Sequence, residues 1–518
     1  MLGCRVLTSL CSLTLVLLAG CGQTGLDTKA QIRSEQSRFV DSQGFMLIDG
    51  QPRLILGMYG IHTDRQLEDL AANGYNLVAQ FWPPTAESLD RIWKRGLYGS
   101  VHLYYDPRVK DPAESSPPPK QWPGLAETIS AFKDHPGFLA WELYDEITAQ
   151  SVWYETGWKR NDELAQLEQL IEAQKAADPG LAADRLERLR ESKSLMSRGL
   201  PAEGEAMLDQ LWAELGQQGP NPRLRGSYSW ARADRMAEGL GRLCEYLREQ
   251  DGKHLIWTNH AALNSIARLA KLNAHVDAAG CDHYPVDGVG TPSTGQNLYE
   301  IGWFTDRMRA AAPGKSCWMV IQGFGWRDFV EEKWHTNPDQ TLGRRPNLRE
   351  TRFMAYDAIV HGANALVYYG SDFLEGGPHR GGYFKGEPLG DREVPQLWKD
   401  MMTVGRELRA LEPAILAAAP PMQPKATSEE TMGPLDGQGP ALMLRHVGQD
   451  WVLIVVNETN WTGAFNVSDL PAELEGRMLH RLYSDDTVTV QDGHFRDGIH
   501  GWGVNVYATS RRFENPSH

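Results

Sequence analysis

The sequence predicts an α/β fold: a (β/α)8 TIM barrel with a helical insertion after the fourth strand and a C-terminal antiparallel β-sandwich. Three observations predict it. Between residues 38 and 415, eight apolar segments alternate with segments of helical spacing. The apolar segments are continuous runs rather than alternations, as in parallel strands that are buried on both faces. Beyond residue 415, a Pro/Ala-rich linker leads to short alternating segments separated by Asn, Asp and Gly, which indicate antiparallel strands.

The barrel prediction depends on eight strand–helix units. The predicted strands cover residues 53–60, 75–81, 98–106, 138–146, 253–261, 277–285, 316–326 and 365–373. Thr63 is a possible N-cap of the first helix because it precedes the run DRQLEDLAANG. Eight such units over about 360 residues suit a closed barrel. An open doubly wound sheet is the competing architecture, and it is weakened because no glycine-rich phosphate loop follows the first strand.

Two segments lie outside the eight units. Residues 159–218 are rich in Glu, Leu, Ala, Arg and Gln, and residues such as Leu164, Leu167 and Ile171 are helically spaced. We therefore predict two or three helices inserted after the fourth strand. A lid, a partner-binding face and a solvated spacer are all compatible with that pattern. The predicted sandwich covers residues 424–514.

The first 20 residues have the pattern of a secretory signal peptide. One charge, Arg5, precedes an apolar run too short to span a membrane. The run ends in LAGC, whose last residue is Cys21, and this motif resembles the bacterial lipobox. The resemblance implies cleavage before Cys21 and lipidation of its thiol, with residues 21–37 as a polar tether. Gly22 favours the outer membrane, so we expect a lipid-anchored protein of the cell envelope; an ordinary signal peptide is the alternative.

Charge and cysteine content exclude several classes of partner. The chain has 52 Lys and Arg against 67 Asp and Glu, a formal net charge of −15 at pH 7. Such an acidic chain is unsuited to binding nucleic acid.

After removal of the signal and lipidation of Cys21, only Cys244, Cys281 and Cys317 remain. They do not form a disulfide framework or a zinc motif, so we expect buried free thiols, no cofactor and no metal, with a Cys281–Cys317 contact as the alternative.

Polar side chains gather where the predicted strands end. The fourth predicted strand ends in two adjacent carboxylates, Asp145 and Glu146. In a TIM barrel, the carboxyl ends of all eight strands meet at the active-site face. The other strand ends and their loops contribute Tyr59, His62, Gln80, Trp82, Tyr105, Asp106, Asn259, His260, Asp282, His283, Tyr284, Gln322, Trp326, Tyr369 and Asp372. A single terminal Asn or Asp is often a helix cap, but the set predicts one polar and aromatic rim.

Carbohydrates bind to rims of this composition. The C–H faces of sugars stack on aromatic rings, and their hydroxyls hydrogen-bond to carboxylates and amides. The chain also has 17 Trp residues. We therefore predict a carbohydrate substrate. The predicted substrate-binding residues are Tyr59, His62, Trp82, Asp106, Asn259, His260, Tyr284, Gln322, Trp326 and Asp372.

Several segments resemble one enzyme family. WELYDE, residues 141–146, resembles the W-[DE]-L-x-N-E signature on the fourth strand of clan A glycoside hydrolases. FMLIDGQPRLILGMYG, DHYP and ALVYYG resemble the first, sixth and eighth strand segments of that clan, and GWGVNVY resembles the last strand of its accessory sandwich. The resemblance covers nearly all of the chain after Cys21. It implies a retaining glycosidase with Glu146 as the acid/base.

The sequence departs from the clan pattern at three positions. Asp145 stands where Asn is usual, and Ile147 where Pro is usual. The seventh strand should end in a nucleophilic Glu, but it carries Gln322. An amide cannot attack an anomeric carbon as a carboxylate does, and a retaining enzyme needs two carboxyl groups about 5–5.5 Å apart.

Three accounts of the missing nucleophile follow. In the first, which we favour, another carboxylate serves, with Asp282 as the leading candidate and Asp372, Glu331 and Glu332 as the others. In the second, a 2-acetamido group of the substrate attacks, oriented by Asp145 as in the hexosaminidases that the Asp145–Glu146 pair resembles. In the third, the barrel binds glycans without cleaving them.

Overall fold

The computed structural model describes residues 39–61, 63–81, 83–148, 154–261, 264–286, 297–329, 343–370, 395–429 and 439–515. Eight parallel strands form a closed barrel, in which the eighth strand pairs with the first in the register Ala365↔Ile55. The barrel strands are Ile55–Tyr59, Leu77–Ala79, Tyr98–His102, Phe138–Glu142, Leu255–Ala261, Ala278–His283, Ser316–Gln322 and Ala365–Tyr369. An antiparallel hairpin, Met46–Ile48 with Gln51–Arg53, precedes the first strand. This arrangement confirms the predicted barrel.

Helices follow the barrel strands, as the apolar spacing predicts. Their bounds are Asp64–Ala72, Ala86–Trp93, Leu125–Phe132, Gly226–Gln250, Ile266–Leu272, Glu300–Ala311, Leu348–Val360 and Gln396–Ile415. Thr63 caps the first of them, since its side chain accepts a hydrogen bond from the backbone of Gln66 in a capping box. Among the described residues, no helix is long and apolar enough to cross a membrane.

The barrel has an inner and an outer apolar layer. Alternate residues of each strand point to opposite faces of the sheet. Trp257 and Trp318 fill the interior, with ring centroids 5.0 Å apart. Leu56 and Met58 of the first strand belong instead to the layer between strands and helices. This alternation decides which side chains at a strand end face the interior. The three cysteines of the described chain, Cys244, Cys281 and Cys317, are buried and free, as expected.

The segment after the fourth strand folds into three helices, Tyr154–Gln174, Pro179–Ser197 and Pro201–Glu214. They share a small apolar core that is separate from the barrel core and includes Leu167, Ile171, Leu189, Leu208 and Leu211. The helical spacing of these residues produces that core, because side chains three and four positions apart lie on one face of a helix.

The C-terminal residues form two antiparallel sheets. One contains Lys425–Ser428, Gly463–Ser468 and Phe495–Ile499. The other contains Pro440–Val447, Asp450–Asn457, Val504–Ala508, Met478–Arg481 and Thr487–Thr489, in that spatial order. Phe465, Phe495 and Tyr507 pack in the apolar core that the two sheets share. The sandwich confirms the predicted fold class. The alternation pattern predicts the strands in ALMLRH, WVLIVVNE, GAFNVS, TVTVQ and VNVYATS, and it misses those at 425–428, 478–481 and 495–499.

Candidate active site

A cavity of about 240 Å³ opens at the carboxyl ends of the barrel strands. It is lined by Tyr59, Gln80, Asp145, Glu146, Asn259, Asp282, Tyr284, Val320, Phe324, Trp326 and Tyr369. The predicted residues Tyr59, Asp145, Glu146, Asn259, Asp282, Tyr284 and Trp326 are therefore brought together here. They come from five of the eight strands and their loops, which is possible because parallel strands in a closed barrel end on one face.

The fourth strand is shorter than predicted, and this changes where its carboxylates point. It ends at Glu142, and Asp145 and Glu146 lie in the turn that follows. Glu146 has a left-handed backbone, with φ of 44°, and its N–H donates to the carbonyl of Asn259 over 3.1 Å. Adjacent residues of an extended strand face opposite sides. The turn removes that restriction, so both Asp145 and Glu146 line the cavity.

Asp145 is held in place by its neighbour on the fifth strand. Asn259 Nδ2 donates to Asp145 Oδ1 over 3.0 Å. Burial raises the pKa of Asp145 to about 6, and the charge of Glu146 adds to the increase, while the hydrogen bond from Asn259 opposes it. Asp145 is therefore a carboxyl group that changes charge near neutral pH.

Asp282 is the last residue of the sixth barrel strand whose side chain faces the barrel interior. It is close enough to Glu146 for the two carboxyl groups to share a hydrogen bond when one is protonated. Burial raises the pKa of Asp282 well above its ordinary value, and the charges of Glu146 and Asp145 raise it further. Its Oδ1 is buried and has no hydrogen-bond partner among the described residues. Two carboxylates in contact cannot both ionise at low cost, so Asp282 keeps its proton.

Glu142 is a functional candidate that the sequence reasoning missed. It is fully buried at the end of the fourth strand. Its Oε1 accepts hydrogen bonds from Tyr59 Oη over 2.7 Å and from Gln80 Nε2 over 2.5 Å. Burial, and secondarily the charge of Asp145, raise the pKa of Glu142 to about 8, although both hydrogen bonds oppose the shift. The sequence did contain an indication of this residue, because Glu142 is the first acidic residue of the WELYDE segment.

Aromatic rings form one wall of the cavity. Tyr284 stacks on Tyr369 with ring centroids 5.6 Å apart, and Phe324 meets Tyr284 edge-on at 5.1 Å. Trp326 lies 6.2 Å from Tyr284, and its Nε1 donates to the carbonyl of Tyr284. Tyr59 contacts Tyr369 edge-on at 5.7 Å. Such a wall offers ring faces to the C–H surface of a sugar.

Gln322 is placed differently from the prediction. It is fully buried, and its Nε2 donates to the carbonyls of Val286 and Phe324, each over 3.1 Å. Its Oε1 accepts from the backbone N–H of Val286 over 2.8 Å. The amide is thus engaged with the backbone on both sides, and Gln322 is not among the residues that line the cavity. It ties the loop after the sixth strand to the loop after the seventh.

Two other predicted substrate-binding residues also lie outside the cavity lining. His260 follows Asn259 on the fifth strand and therefore faces the helices, where its Nε2 lies 2.7 Å from Asn273 Oδ1. Burial lowers the pKa of His260 to about 4, so it is a neutral core residue. Asp106 binds the guanidinium of Arg108 through both carboxylate oxygens. His62, Trp82, Asp372, Glu331, Glu332 and Cys21 lie outside the described residues.

A second cluster of ionisable residues has the spacing of a metal site. The donor atoms of Asp357, His361 and Glu458 lie within 4.8 Å of one another. None of these three residues lines the cavity.

Comparison with known proteins gives structural neighbours only. No family model matches the chain, and no curated protein matches it. A β-galactosidase from Bacillus circulans sp. alkalophilus superposes with a TM-score of 0.48 at 10% identity, over 89% of this chain and 99% of that chain. A glycoside hydrolase family 5 protein from Bacteroides vulgatus gives 0.45 at 13% identity, over 92% and 93%.

A third neighbour is larger than this chain. The β-galactosidase from the psychrophilic Marinomonas ef1 gives a TM-score of 0.41 at 16% identity, over 69% of this chain, and the matched part spans only 60% of that enzyme. Two of the three neighbours are named as β-galactosidases and one as a glycoside hydrolase, and none reaches a TM-score of 0.5. At such low identity the likeness concerns the fold, and any functional conclusion has to come from the cavity itself.

Proposed function

We propose that this protein is a glycoside hydrolase acting on an oligo- or polysaccharide, with Glu146 as the acid/base. One observation carries the proposal: Asp145, Glu146 and Asp282 open onto a single cavity walled by aromatic rings. Hydrolysis of a glycosidic bond requires a protonated carboxyl group and an ionised one near the same bond. Asp282, whose pKa burial and the neighbouring charges raise so that it keeps its proton, lies beside Glu146 on this cavity.

The same pair supports a retaining mechanism. Once the proton of Asp282 has passed to Glu146, Glu146 donates it to the glycosidic oxygen, and the Asp282 carboxylate attacks the anomeric carbon to form a glycosyl-enzyme. Glu146 then removes a proton from water, which releases the sugar from Asp282. Carboxyl groups in hydrogen-bond contact are closer than the about 5–5.5 Å of retaining pairs. A bound sugar must therefore separate Glu146 from Asp282.

A glycan-binding protein is the first alternative. A pure binder has little need for two carboxyl groups in contact, one of which, Asp282, keeps its proton, whereas an acid catalyst depends on such a protonated group near its working pH. Glu146→Gln keeps the shape of the side chain and removes the acid. We expect this variant to lose hydrolysis by at least about a hundredfold while glycan affinity changes little. Turnover at the wild-type rate would rule out the assignment of Glu146.

The second alternative is substrate-assisted hydrolysis, and one observation favours it. Asp145 lies on the same turn as Glu146, and a hydrogen bond from Asn259 holds its side chain in place. A residue that orients a substrate acetamido group has to be fixed in this way. Asp282→Asn should abolish turnover of all glycosides if Asp282 is the nucleophile. Asp145→Asn should instead reduce turnover selectively on N-acetylated substrates, by orders of magnitude, if the acetamido group attacks.

These two variants are compared on paired N-acetylated and plain glycosides. Asp134→Asn is a matched control, because Asp134 is exposed and pairs with Lys253 at the surface. We expect the control to leave kcat/KM unchanged on both substrates. Small and equal losses in Asp282→Asn and Asp145→Asn would contradict both mechanisms and leave the glycan-binding barrel as the better interpretation.

We further propose that the protein is anchored to the outer membrane through a lipid on Cys21, so that its substrate is a carbohydrate of the cell envelope or its surroundings. The LAGC motif supports this proposal. Several acyl chains anchor firmly, since each buried methylene contributes about 0.8 kcal/mol. Wild-type protein should partition into detergent, and Cys21→Ala should not. Recovery of unacylated wild-type protein in the aqueous phase would contradict the anchor.

A further inference from the structure

The cluster of Asp357, His361 and Glu458 joins the barrel to the sandwich. Asp357 lies in the last turn of the helix Leu348–Val360, and His361 directly follows that helix. Glu458 follows the sandwich strand Asp450–Asn457. Asp357 is fully buried, and Glu458 is 7% exposed. Three ionisable side chains are therefore collected where two parts of the fold meet.

The imidazole of His361 is oriented by both of its nitrogens. Its Nδ1 lies 2.9 Å from Asp306 Oδ2, on the helix Glu300–Ala311. Its Nε2 lies 3.0 Å from Glu458 Oε1 and 3.8 Å from Asp357 Oδ1. A histidine that binds a metal commonly donates its other ring N–H to a carboxylate, which fixes the ring and the tautomer. Asp306 stands in that position.

Asp357 provides an independent indication of a missing ligand. Its Oδ2 accepts a hydrogen bond from the backbone N–H of Gly302 over 2.7 Å. Its Oδ1 is buried and has no hydrogen-bond partner among the described residues, and this is the oxygen that points toward His361 Nε2. A buried carboxylate oxygen that accepts no hydrogen bond is costly, and its contact with His361 Nε2 at 3.8 Å is too long to replace one.

We propose that Asp357, His361 and Glu458 bind a divalent cation of the Zn²⁺ class. Zn²⁺ lies about 2.0–2.2 Å from nitrogen and oxygen ligands, so two tetrahedral ligands are roughly 3.4 Å apart. The two distances from His361 Nε2, 3.0 and 3.8 Å, fall on either side of that value. One imidazole and two carboxylates neutralise the charge of the cation, and the remaining coordination position is open to water.

Close packing around the imidazole preserves this geometry. A Cβ atom at Gly302 would lie 2.6 Å from His361 Nε2 and 2.8 Å from Asp357 Oδ2. Residue 302 must therefore lack a side chain for the helix to approach the cluster. The three ligands come from one barrel helix, the residue that follows it and the residue that follows one sandwich strand, so a bound cation links the barrel to the sandwich. This role is independent of the proposed hydrolysis.

The test starts from full-length protein stripped of metal with a chelator and then titrated with Zn²⁺. We expect one Zn²⁺ per chain by elemental analysis, and a melting temperature that rises with the Zn²⁺ concentration because the cation binds only the folded state. Co²⁺ in its place should give the visible absorption of a tetrahedral nitrogen and oxygen site. Substoichiometric metal together with an unchanged melting temperature would overturn the proposal and leave the cluster as an ion pair network.

Variants identify the ligands. His361→Gln and Glu458→Gln should each weaken Zn²⁺ binding at least tenfold, and Asp306→Asn should weaken it about tenfold while stoichiometry is retained. His494→Gln and Glu473→Gln are matched controls, because both residues are exposed on the sandwich. Glu146→Gln should bind Zn²⁺ normally, which separates this site from the catalytic proposal. If His361→Gln fails to fold, Glu458→Gln and the Co²⁺ spectrum of the wild type still test whether the cluster binds a cation. Undiminished Zn²⁺ binding in Glu458→Gln would contradict the assignment.

Discussion

Glu142 shows how one buried carboxyl group links stability to pH. Its folded-state pKa of about 8 lies above the ordinary value of 4.5. The folded protein therefore holds a proton that the unfolded chain releases. It follows that the contribution of Glu142 to stability decreases as pH rises from about 4.5 to about 8, and is constant above that range. Each pKa unit corresponds to about 1.4 kcal/mol, so the full loss has an upper bound on the order of 5 kcal/mol.

This pH dependence predicts the behaviour of Glu142→Gln. The amide oxygen can still accept from Tyr59 and Gln80, but the side chain no longer ionises. We expect the variant to be stabilised relative to wild type by a few kcal/mol at pH 8.5 and much less at pH 5, measured by urea unfolding. Comparison with wild type at each pH cancels the contributions of carboxyl groups that do not interact with Glu142. A stability difference that stays constant from pH 5 to pH 8.5 would contradict the buried-acid interpretation.

The alternation of side chains along a strand explains which residues at the strand ends could be predicted. The alternation of a strand allows only one of Asn259 and His260 to face the barrel interior, and the sequence alone does not reveal which. Trp257 faces inward, so Asn259 does too and His260 does not. Glu142 was missed for the opposite reason. An acid inside an apolar strand is unexpected until its partners, Tyr59 and Gln80, are brought close by folding.

At the scale of elements, the side chain of Gln322 connects the loop after the sixth barrel strand to the loop after the seventh. Its amide donates to Val286 and Phe324 and accepts from Val286, all at the backbone. In Gln322→Glu, a carboxylate would face two carbonyl oxygens and lose both donors. We expect destabilisation of about 2–5 kcal/mol and no gain of hydrolysis, because unpaired buried groups bear the full cost of desolvation. Thermal unfolding and kcat/KM on a plain glycoside measure both effects.

The matched control is Gln217→Glu, since Gln217 is exposed at the end of the helical insertion. It should leave both stability and activity within error of wild type. The resemblance of the sequence to clan A glycoside hydrolases implies the opposite result for Gln322, because it would place the nucleophile at this position. A stable and more active Gln322→Glu variant would therefore show that this position does belong to the catalytic site.

The elements themselves were largely predictable, and their ends were not. All eight barrel strands were found from apolar runs, because a strand buried on both faces is apolar throughout. The fourth strand was nevertheless extended to Glu146, four residues beyond its end at Glu142. The turn at Asp145 and Glu146 depends on a left-handed backbone and a hydrogen bond to Asn259. Neither leaves a signature in the hydrophobic pattern. The proposed metal ligands His361 and Glu458 were equally hidden, since almost one hundred residues separate them.

At the scale of the whole molecule, the barrel and the sandwich share one apolar core. Val452, Ile454 and Val506 of the sandwich belong to the same buried cluster as Phe353 and Met401 of the barrel helices. Polar contacts reinforce this junction. Arg352 binds Glu407 Oε2 through Nε over 2.7 Å and also donates to the carbonyl of Val504. Burial on this scale couples the two parts, because neither can open without exposing the core of the other.

The shared core predicts cooperative unfolding. We expect scanning calorimetry to show one transition that includes both the barrel and the sandwich, with the calorimetric and van't Hoff enthalpies in agreement. The measurement is best made on protein stripped of metal, so that a bound cation does not supply the coupling. Two resolved transitions, one of them assignable to the sandwich, would contradict this expectation.

The shared apolar core also determines how much the linker between barrel and sandwich contributes to holding the two parts together. Residues 418–423 are largely exposed, so a protease can reach them. Cutting there breaks the covalent connection but leaves the buried face between the two parts intact. A nicked molecule would still elute as one particle and separate into two fragments only under denaturing conditions. The peptide bond that joins the two parts is therefore dispensable after folding, and the apolar face that they share is what keeps them together.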